Sequence, residues 1–228
     1  MRPAADGEKS LRSESGPAWE QVPAVASGRT GGQGARVPTL FSAGLKACWL
    51  AIAAYWLWSA LRVKRPVRTE SWARRLLLYW IPFGVAFHLL GPGKWYGHSL
   101  LRENFVPHTT LVYSCGLALC ALGTALAIWS RHLLGTNWSI TVQLKKDHEL
   151  ITAGPYRRVR HPIYSGLLLL FLGNALMVGD WRGLVAVAIV FASFWFKLRR
   201  EEQWLSQHFG DAYLAYRQRS KALVPGVL

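Results

Sequence analysis

The chain has 228 residues, 51% of them apolar and only 17% charged, with 12 tryptophans and a formal net charge of +15. On a soluble chain that charge would point to nucleic acid. Here the basic residues gather in loops between apolar runs rather than along one face, which excludes a nucleic-acid binder and fits a membrane protein.

Residues 1–38 are rich in Gly, Ser, Ala and charge and carry no apolar period, so they predict a disordered tail. No apolar core follows Arg2, which excludes a secretory signal peptide. The first predicted span runs from Leu40 to Leu61 and carries Trp49, Trp56 and Trp58. A basic loop follows, with Arg62, Lys64, Arg65, Arg68, Arg74 and Arg75. The second span, Leu76 to Leu90, contains Pro82. Proline is tolerated in a membrane helix where a neighbour or water satisfies the carbonyl it frees. The next loop holds only Lys94 and Arg102 as cations, with Trp95 and Tyr96 placed as interface aromatics.

A third span covers Thr110 to Ser130, where Cys115-Gly116 and Gly123-Thr124-Ala125 offer small residues for close helix contact. The long loop 131–162 holds Arg131, Lys145, Lys146, Arg157, Arg158 and Arg160. Two short spans follow, Ile163–Val178 and Gly183–Lys197, joined by Gly179-Asp180-Trp181-Arg182. Their brevity predicts a hairpin packed against longer helices. Beyond Lys197, residues Trp204, Leu205, Phe209, Ala212, Tyr213 and Tyr216 recur at helical spacing, predicting an interfacial amphipathic helix that can break at Phe209-Gly210 and ends by Pro225.

The predicted fold class is therefore an all-α integral membrane protein. It has about five transmembrane helices, a C-terminal helical hairpin and an interfacial amphipathic helix. Loops one and three and the C-terminal tail are basic, and loops two and four are poor in cations. That asymmetry places the C-terminus in the cytoplasm and the N-terminus outside. Helical spans suit the inner or plasma membrane of a bacterium. Cys48, Cys115 and Cys120 lie in apolar runs without a CxxC pair, so they read as inert buried thiols. His148-Glu149-Leu150-Ile151-Thr152 starts like a zinc-protease helix but lacks the second His, and no metal site is predicted.

Polar residues at a membrane boundary are costly and usually serve a site or an anchor. The densest such stretch is Gly154-Pro155-Tyr156-Arg157-Arg158-Val159-Arg160-His161-Pro162-Ile163-Tyr164-Ser165-Gly166. Its arginines could anchor lipid phosphates or form an anion site for a carboxylate or phosphate. Pro162 suits the first helical turn, where its missing N–H costs nothing. His161 then sits at the helix entrance, with Tyr164 and Gly166 on the first turn. Some forty residues on, Glu201-Glu202 is either a solvated helix end or part of the same site. Glu201 lies one turn from Lys197, so the two can pair. Both motifs fall on the predicted cytoplasmic face.

These motifs, His148-Glu-Leu150-Ile-Thr-Ala-Gly154-Pro155-Tyr156 running on through Arg160-His161-Pro162-Ile-Tyr164-Ser-Gly166, and Glu201-Glu202-Gln-Trp-Leu205 with Phe209-Gly210, Tyr213, Tyr216 and Pro225, resemble the isoprenylcysteine carboxyl methyltransferase family. The resemblance spans about residues 131–225. It implies an integral-membrane enzyme that uses S-adenosylmethionine. By that resemblance His148, Leu150, Gly154, Tyr156, His161, Pro162, Tyr164, Gly166 and Glu202 hold the cofactor. Arg160, Lys197 and Glu201 stand near the reacting group. The family often has Arg where this chain has Lys197, which replaces a bidentate fork by a point charge. The implied organisation is a tail (1–38), a three-helix transmembrane region (39–130) and a cofactor-binding region (131–228). The implied partners are a lipophilic small molecule or lipidated substrate and membrane lipids. Three alternatives share parts of the pattern: a sterol-reductase-type membrane enzyme using NADPH, a phospholipid amine methyltransferase, and a non-enzymatic lipid-binding or scaffold protein.

Overall fold

The computed structural model describes residues 37–61, 66–69, 71–135, 143–145 and 150–226. Positions 1–36 of the expected tail, and His148, lie outside the described residues. Helix α1 (Thr39–Ala60) is followed by strand β1 (Pro66–Thr69). Helix α2 (Trp72–Arg75) then runs without interruption through a π-helical turn (Leu76–Trp80) into α3 (Ile81–Leu90). Helix α4 (Thr110–Leu134), strand β2 (Gln143–Lys145) and a 3₁₀ turn (Gly154–Arg157) lead to α5 (Pro162–Val178), α6 (Trp181–Phe209) and α7 (Asp211–Arg219). By length and apolarity α1, α4 and α6 can each cross a bilayer, and α5 is a shorter apolar helix. The protein is a helical integral membrane protein.

Two features differ from the sequence expectation. The fifth apolar run does not end at Lys197: α6 continues unbroken to Phe209. Its residues 198–203, Leu-Arg-Arg-Glu-Glu-Gln, are strong helix formers. The onset of charge marks where the helix leaves the apolar layer, not where it stops. The stop comes at Gly210, whose φ of +53° is the left-handed conformation glycine allows. The second difference is a short antiparallel pairing of β1 with β2, in register Arg68↔Leu144 and Thr69↔Gln143. It ties two loops that the sequence left irregular, and it brings the first and third basic loops to one end of the helices.

Helix α5 is apolar on every side and is buried accordingly. Leu170 faces a core built with Ile52, Tyr113, Cys120 and Ala127 of α1 and α4. Phe171 faces a second core built with Ala86 of α3 and Val190 and Phe194 of α6. Trp49, Phe83 and Phe87 surround the Phe171 ring at centroid distances of 5.1, 5.7 and 5.5 Å. Lipid offers no hydrophobic drive for helix association, so close packing must supply it. Helices α4 and α5 supply it through two glycine pairs spaced seven residues apart on each helix. A Cβ on Gly173 would meet Cys120 Sγ at 2.7 Å, and one on Gly116 would meet the Gly173 carbonyl at 2.8 Å. A Cβ on Gly166 would meet the Gly123 carbonyl at 2.6 Å. Gly116 and Gly123, among the small residues singled out in α4, thus lie against the backbone of Gly173 and Gly166 on α5, with Met177 beside Gly116 and Leu169 beside Gly123.

The hairpin turn between α5 and α6 is locked by charge. Arg182 Nε donates to Asp180 at 2.8 Å, and its Nη1 donates to the carbonyls of Leu89 and Gly91 at 2.9 and 2.5 Å. Arg102 approaches the same Asp180 carboxylate at 3.5 Å. This staple sits at the opposite end of the hairpin from Lys197 and Glu201, and it fixes α3 against α6.

Candidate functional site

The chain enters α5 through residues that leave little freedom. Gly154 adopts φ +57°, a left-handed conformation that favours glycine, and a Cβ there would also have to displace the Leu133 side chain, 2.5 Å away. The following 3₁₀ turn buries Tyr156, whose hydroxyl donates to the Ser130 carbonyl at 3.3 Å. Burial above all holds the Tyr156 phenol well above its ordinary pKa, so it stays neutral. Residues 158–161 then pair with the C-terminal segment. Lys221 N–H donates to the Arg158 carbonyl (3.0 Å), Arg160 N–H to that of Lys221 (2.8 Å) and His161 N–H to that of Ala222 (3.0 Å). Ser165 Oγ donates to the Leu223 carbonyl at 2.5 Å, and Tyr216 Oη to the Tyr156 carbonyl at 2.6 Å. The C-terminal segment is therefore a strap across the start of α5.

Above this strap the side chains converge. Arg160 Nε donates to Glu202 Oε1 at 2.7 Å, and its Nη1 donates to the carbonyls of Arg217 (3.3 Å) and Ser220. The Arg217 guanidinium stands 3.8 Å from the other Glu202 oxygen. His161 lies between the two glutamates, Nδ1 3.5 Å from Glu201 and Nε2 3.4 Å from Glu202. Burial alone would lower the His161 pKa, but the two carboxylates outweigh it and the pKa is raised. Tyr164 Oη donates to Glu201 Oε1 at 2.7 Å. Its ring stacks between His161 (5.4 Å) and Phe194 (4.7 Å). Lys197 Nζ completes the group, 4.0 Å from Glu201 and 5.0 Å from the Tyr164 centroid.

Arg160, His161, Tyr164, Lys197, Glu201 and Glu202 are thus one connected cluster drawn from α5, α6 and the loop before α5. Pro162 is fully buried at its floor. Tyr156 stands behind it, tying α4 to α7. Gly166 is not brought into the cluster; it faces the Gly123 carbonyl and Ala127 N of α4. Gly154 packs on Leu133 and Trp129, and Leu150 lies partly buried in the preceding coil.

Sequence reasoning missed several members. Tyr79, buried in the π turn, places its ring 5.5 Å from Lys197 Nζ. Pro82 was the available signal. It cannot donate to the carbonyl of Leu78 four residues earlier, and Ser193 Oγ of α6 donates to that carbonyl at 2.6 Å. Arg217 and the strap carried no motif. A recess of about 270 Å³ opens beside Glu202 and is lined by Arg160, Arg217, Ser220 and Lys221 among others. Tyr213 Oη, a buried donor beside the cluster, has no hydrogen-bond partner among the described residues. Burial first, then the Glu202 charge, raise the Tyr213 pKa, so its hydroxyl keeps its proton.

A family model described as phospholipid methyltransferase matches residues 111–212. Protein-S-isoprenylcysteine O-methyltransferase B of Arabidopsis thaliana is 32% identical over 115 residues, covering 49% of this chain and 58% of that protein. Protein-S-isoprenylcysteine O-methyltransferase of Schizosaccharomyces pombe is 32% identical over 159 residues, covering 64% and 66%. The chain therefore spans less than two thirds of these relatives. Among solved structures, a eukaryotic intramembrane Ras methyltransferase (isoprenylcysteine carboxyl methyltransferase) aligns with a TM-score of 0.49 at 23% identity, over 82% of this chain and 64% of that one.

Proposed function

We propose that the chain is a member of the isoprenylcysteine carboxyl methyltransferase family and that it transfers a methyl group from S-adenosylmethionine to the carboxylate of a lipophilic, isoprenylcysteine-type acceptor at the cytosolic membrane face, a reading supported by its similarity to the relatives above. The observation that carries this reading is the buried Lys197 ammonium, held by Glu201 and Tyr164 where α6 leaves its apolar stretch. An ammonium at that depth is expensive unless it is partnered, as Lys197 is by Glu201 and Tyr164. A site that keeps one there can meet an anionic acceptor arriving from the bilayer.

The residues also fit the cofactor. Buried donors are nearly always satisfied, and Tyr213 Oη is not. A ligand oxygen would complete it, and S-adenosylmethionine bears both hydroxyl and carboxylate oxygens. His161, Glu202 and Tyr213 would hold it, with the segment from Leu150 to Tyr156 closing one side and the recess beside Glu202 giving a polar approach. When bound, S-adenosylmethionine supplies an electrophilic methyl group on a sulfonium.

The protein's own task is then positional. A carboxylate nucleophile is already ionised and needs no general base, so neither glutamate has to take a proton. Lys197 orients the acceptor, and Glu201 and Tyr164 hold Lys197. Arg160, whose guanidinium is engaged by Glu202 and the strap, keeps the pocket wall in place. Fixing two reactants in this way lowers the barrier by removing orientational freedom, and the apolar end of α6 excludes water.

The family model's name points to a second acceptor class, a phospholipid amine. Arg160, Arg217 and Lys197, with a His161 that favours its proton, exceed the charge of Glu201 and Glu202. That surplus favours an anionic acceptor over a cationic one. Calorimetric titration of the detergent-purified protein with S-adenosylmethionine and, separately, NADPH tests the class. Binding of the first, weakened at least tenfold by His161→Ala, is expected. Binding of NADPH alone would move the chain to the reductases.

A further inference from the structure

Lys197 is flanked by two rings, but only one of them belongs to the sequence motifs. The second, Tyr79, comes from a part of the chain with no motif at all. Its position depends on the π-helical turn Leu76–Trp80, which inserts one residue into the α2–α3 helix and shifts the face that follows. Ser193 and Lys197 lie one turn apart on the same face of α6. They contact consecutive residues of the π turn: Ser193 Oγ donates to the Leu78 carbonyl at 2.6 Å, and Lys197 Nζ sits 5.5 Å from the Tyr79 centroid. Tyr79 is 8% exposed and shares a buried cluster with Trp204, two turns beyond Lys197 on α6. The π turn is thus docked on one stripe of α6 that has Lys197 at its middle.

An unrestrained lysine near a membrane boundary extends its flexible stem toward water. Lysine also lacks the rigid planar fork by which an arginine fixes its own direction. A ring on each side, with a carboxylate 4.0 Å away, supplies the direction that the lysine stem lacks. We propose that Tyr79 is a positioning residue, whose ring, set by the π turn, holds the Lys197 ammonium at the point where the acceptor carboxylate must be met. This rests on the methyltransferase reading for its kinetic consequence, but the geometry has a readout of its own.

The test compares Tyr79→Phe, which keeps the ring, with Tyr79→Leu, which removes it. The first readout is labelling of Lys197 by an amine-reactive reagent, followed by mass spectrometry on the full-length protein in detergent. Measured well below each protein's melting transition, Tyr79→Leu is expected to label several times faster at Lys197, with Lys94 labelling at the wild-type rate. Tyr79→Phe is expected to match wild type. Equal Lys197 labelling in all three proteins would overturn the proposal whether or not the protein has activity. The second readout is methyl transfer to a small prenylated cysteine. In Tyr79→Leu, KM for the acceptor is expected to rise about tenfold, a change of about 1.4 kcal/mol and within the range of desolvated cation–ring contacts. Affinity for S-adenosylmethionine stays unchanged. An equal loss in Tyr79→Phe would also overturn it, because the ring would then not be what matters. Absence of methyl transfer in the wild type, with the labelling pattern as expected, would sink the functional reading and leave the positioning role standing.

Discussion

Gly166→Ala separates packing from pocket at a position where the motif alone cannot. The structure puts Gly166 against α4: an added Cβ would lie 2.6 Å from the Gly123 carbonyl and 2.7 Å from the Ala127 nitrogen. Both are backbone atoms of a helix, so neither can swing aside. To restore ordinary contact near 3.4 Å, α4 and α5 must part by about 0.8 Å at this level. That separation loosens the second glycine pair, Gly116 with Gly173, and the Cys120 Sγ contact to the Leu170 carbonyl. Overpacking of this kind costs roughly 1–3 kcal/mol, and the unyielding neighbours place it at the upper end. Alanine returns at most about 1 kcal/mol through better helix propensity. A net loss of about 2 kcal/mol lowers the melting temperature of a chain this size by roughly 4–8 °C. Gly84→Ala is the control, because its Cβ would have nothing within 4 Å; it is expected to be neutral or stabilising. Thermal unfolding in detergent, with S-adenosylmethionine affinity measured below the transition, reads both effects. Gly166→Ala should lose stability and keep its affinity to within about threefold, as expected for a site that stays intact below the transition. A variant as stable as wild type that loses the cofactor would refute the packing argument and return Gly166 to the pocket.

Other expectations follow from single contacts. Arg182→Ala leaves the buried Asp180 without its 2.8 Å partner and should cost about 3–5 kcal/mol in unfolding, with cofactor affinity unchanged because the staple lies at the far end of the hairpin. Ser193→Ala removes the donor to the Leu78 carbonyl and should cost about 1–3 kcal/mol. Circular dichroism should show the helices retained. The raised His161 pKa favours the folded state in its protonated form. Its contribution is fully present below the unfolded value of about 6.5 and is lost as pH climbs through the raised folded-state value. The stability gap between wild type and His161→Gln should therefore shrink from pH 6 to pH 9 in thermal melts; a gap that widens would reverse the sign of the argument.

Much of the site was legible because its chemistry is concentrated. Arginine, histidine and glutamate beside apolar runs are costly, and Arg160 and His161, with Tyr164 and Lys197, meet within 4.0 Å of a shared glutamate pair. The apolar helices were legible from the apolar runs, to within a few residues at most ends, and three of them, α1, α4 and α6, are long enough to cross a bilayer. Tyr79 was not legible, since Leu76-Leu77-Leu78-Tyr79-Trp80 is apolar throughout and its phase is set by a π turn that no period reveals. The proline four residues after Leu78 marked the freed carbonyl but not its donor. The strap was hidden for another reason: residues 220–223 act through backbone groups, which carry no residue-type signature. Arg160 was legible as a cation but not as one engaged by Glu202 and two carbonyls, because that depends on where the strap lies.

The most direct test of the central claim is transfer of labelled methyl from S-adenosylmethionine to a small S-prenylated cysteine by the purified protein, scored as base-labile methyl ester. Wild type is expected to form the ester, and Lys197→Met is expected to raise KM for the acceptor at least tenfold while binding S-adenosylmethionine normally, as befits removal of the charge that orients a carboxylate. Ester formation that is indifferent to Lys197, or methyl transfer to a lipid amine with none to the carboxylate, would contradict it.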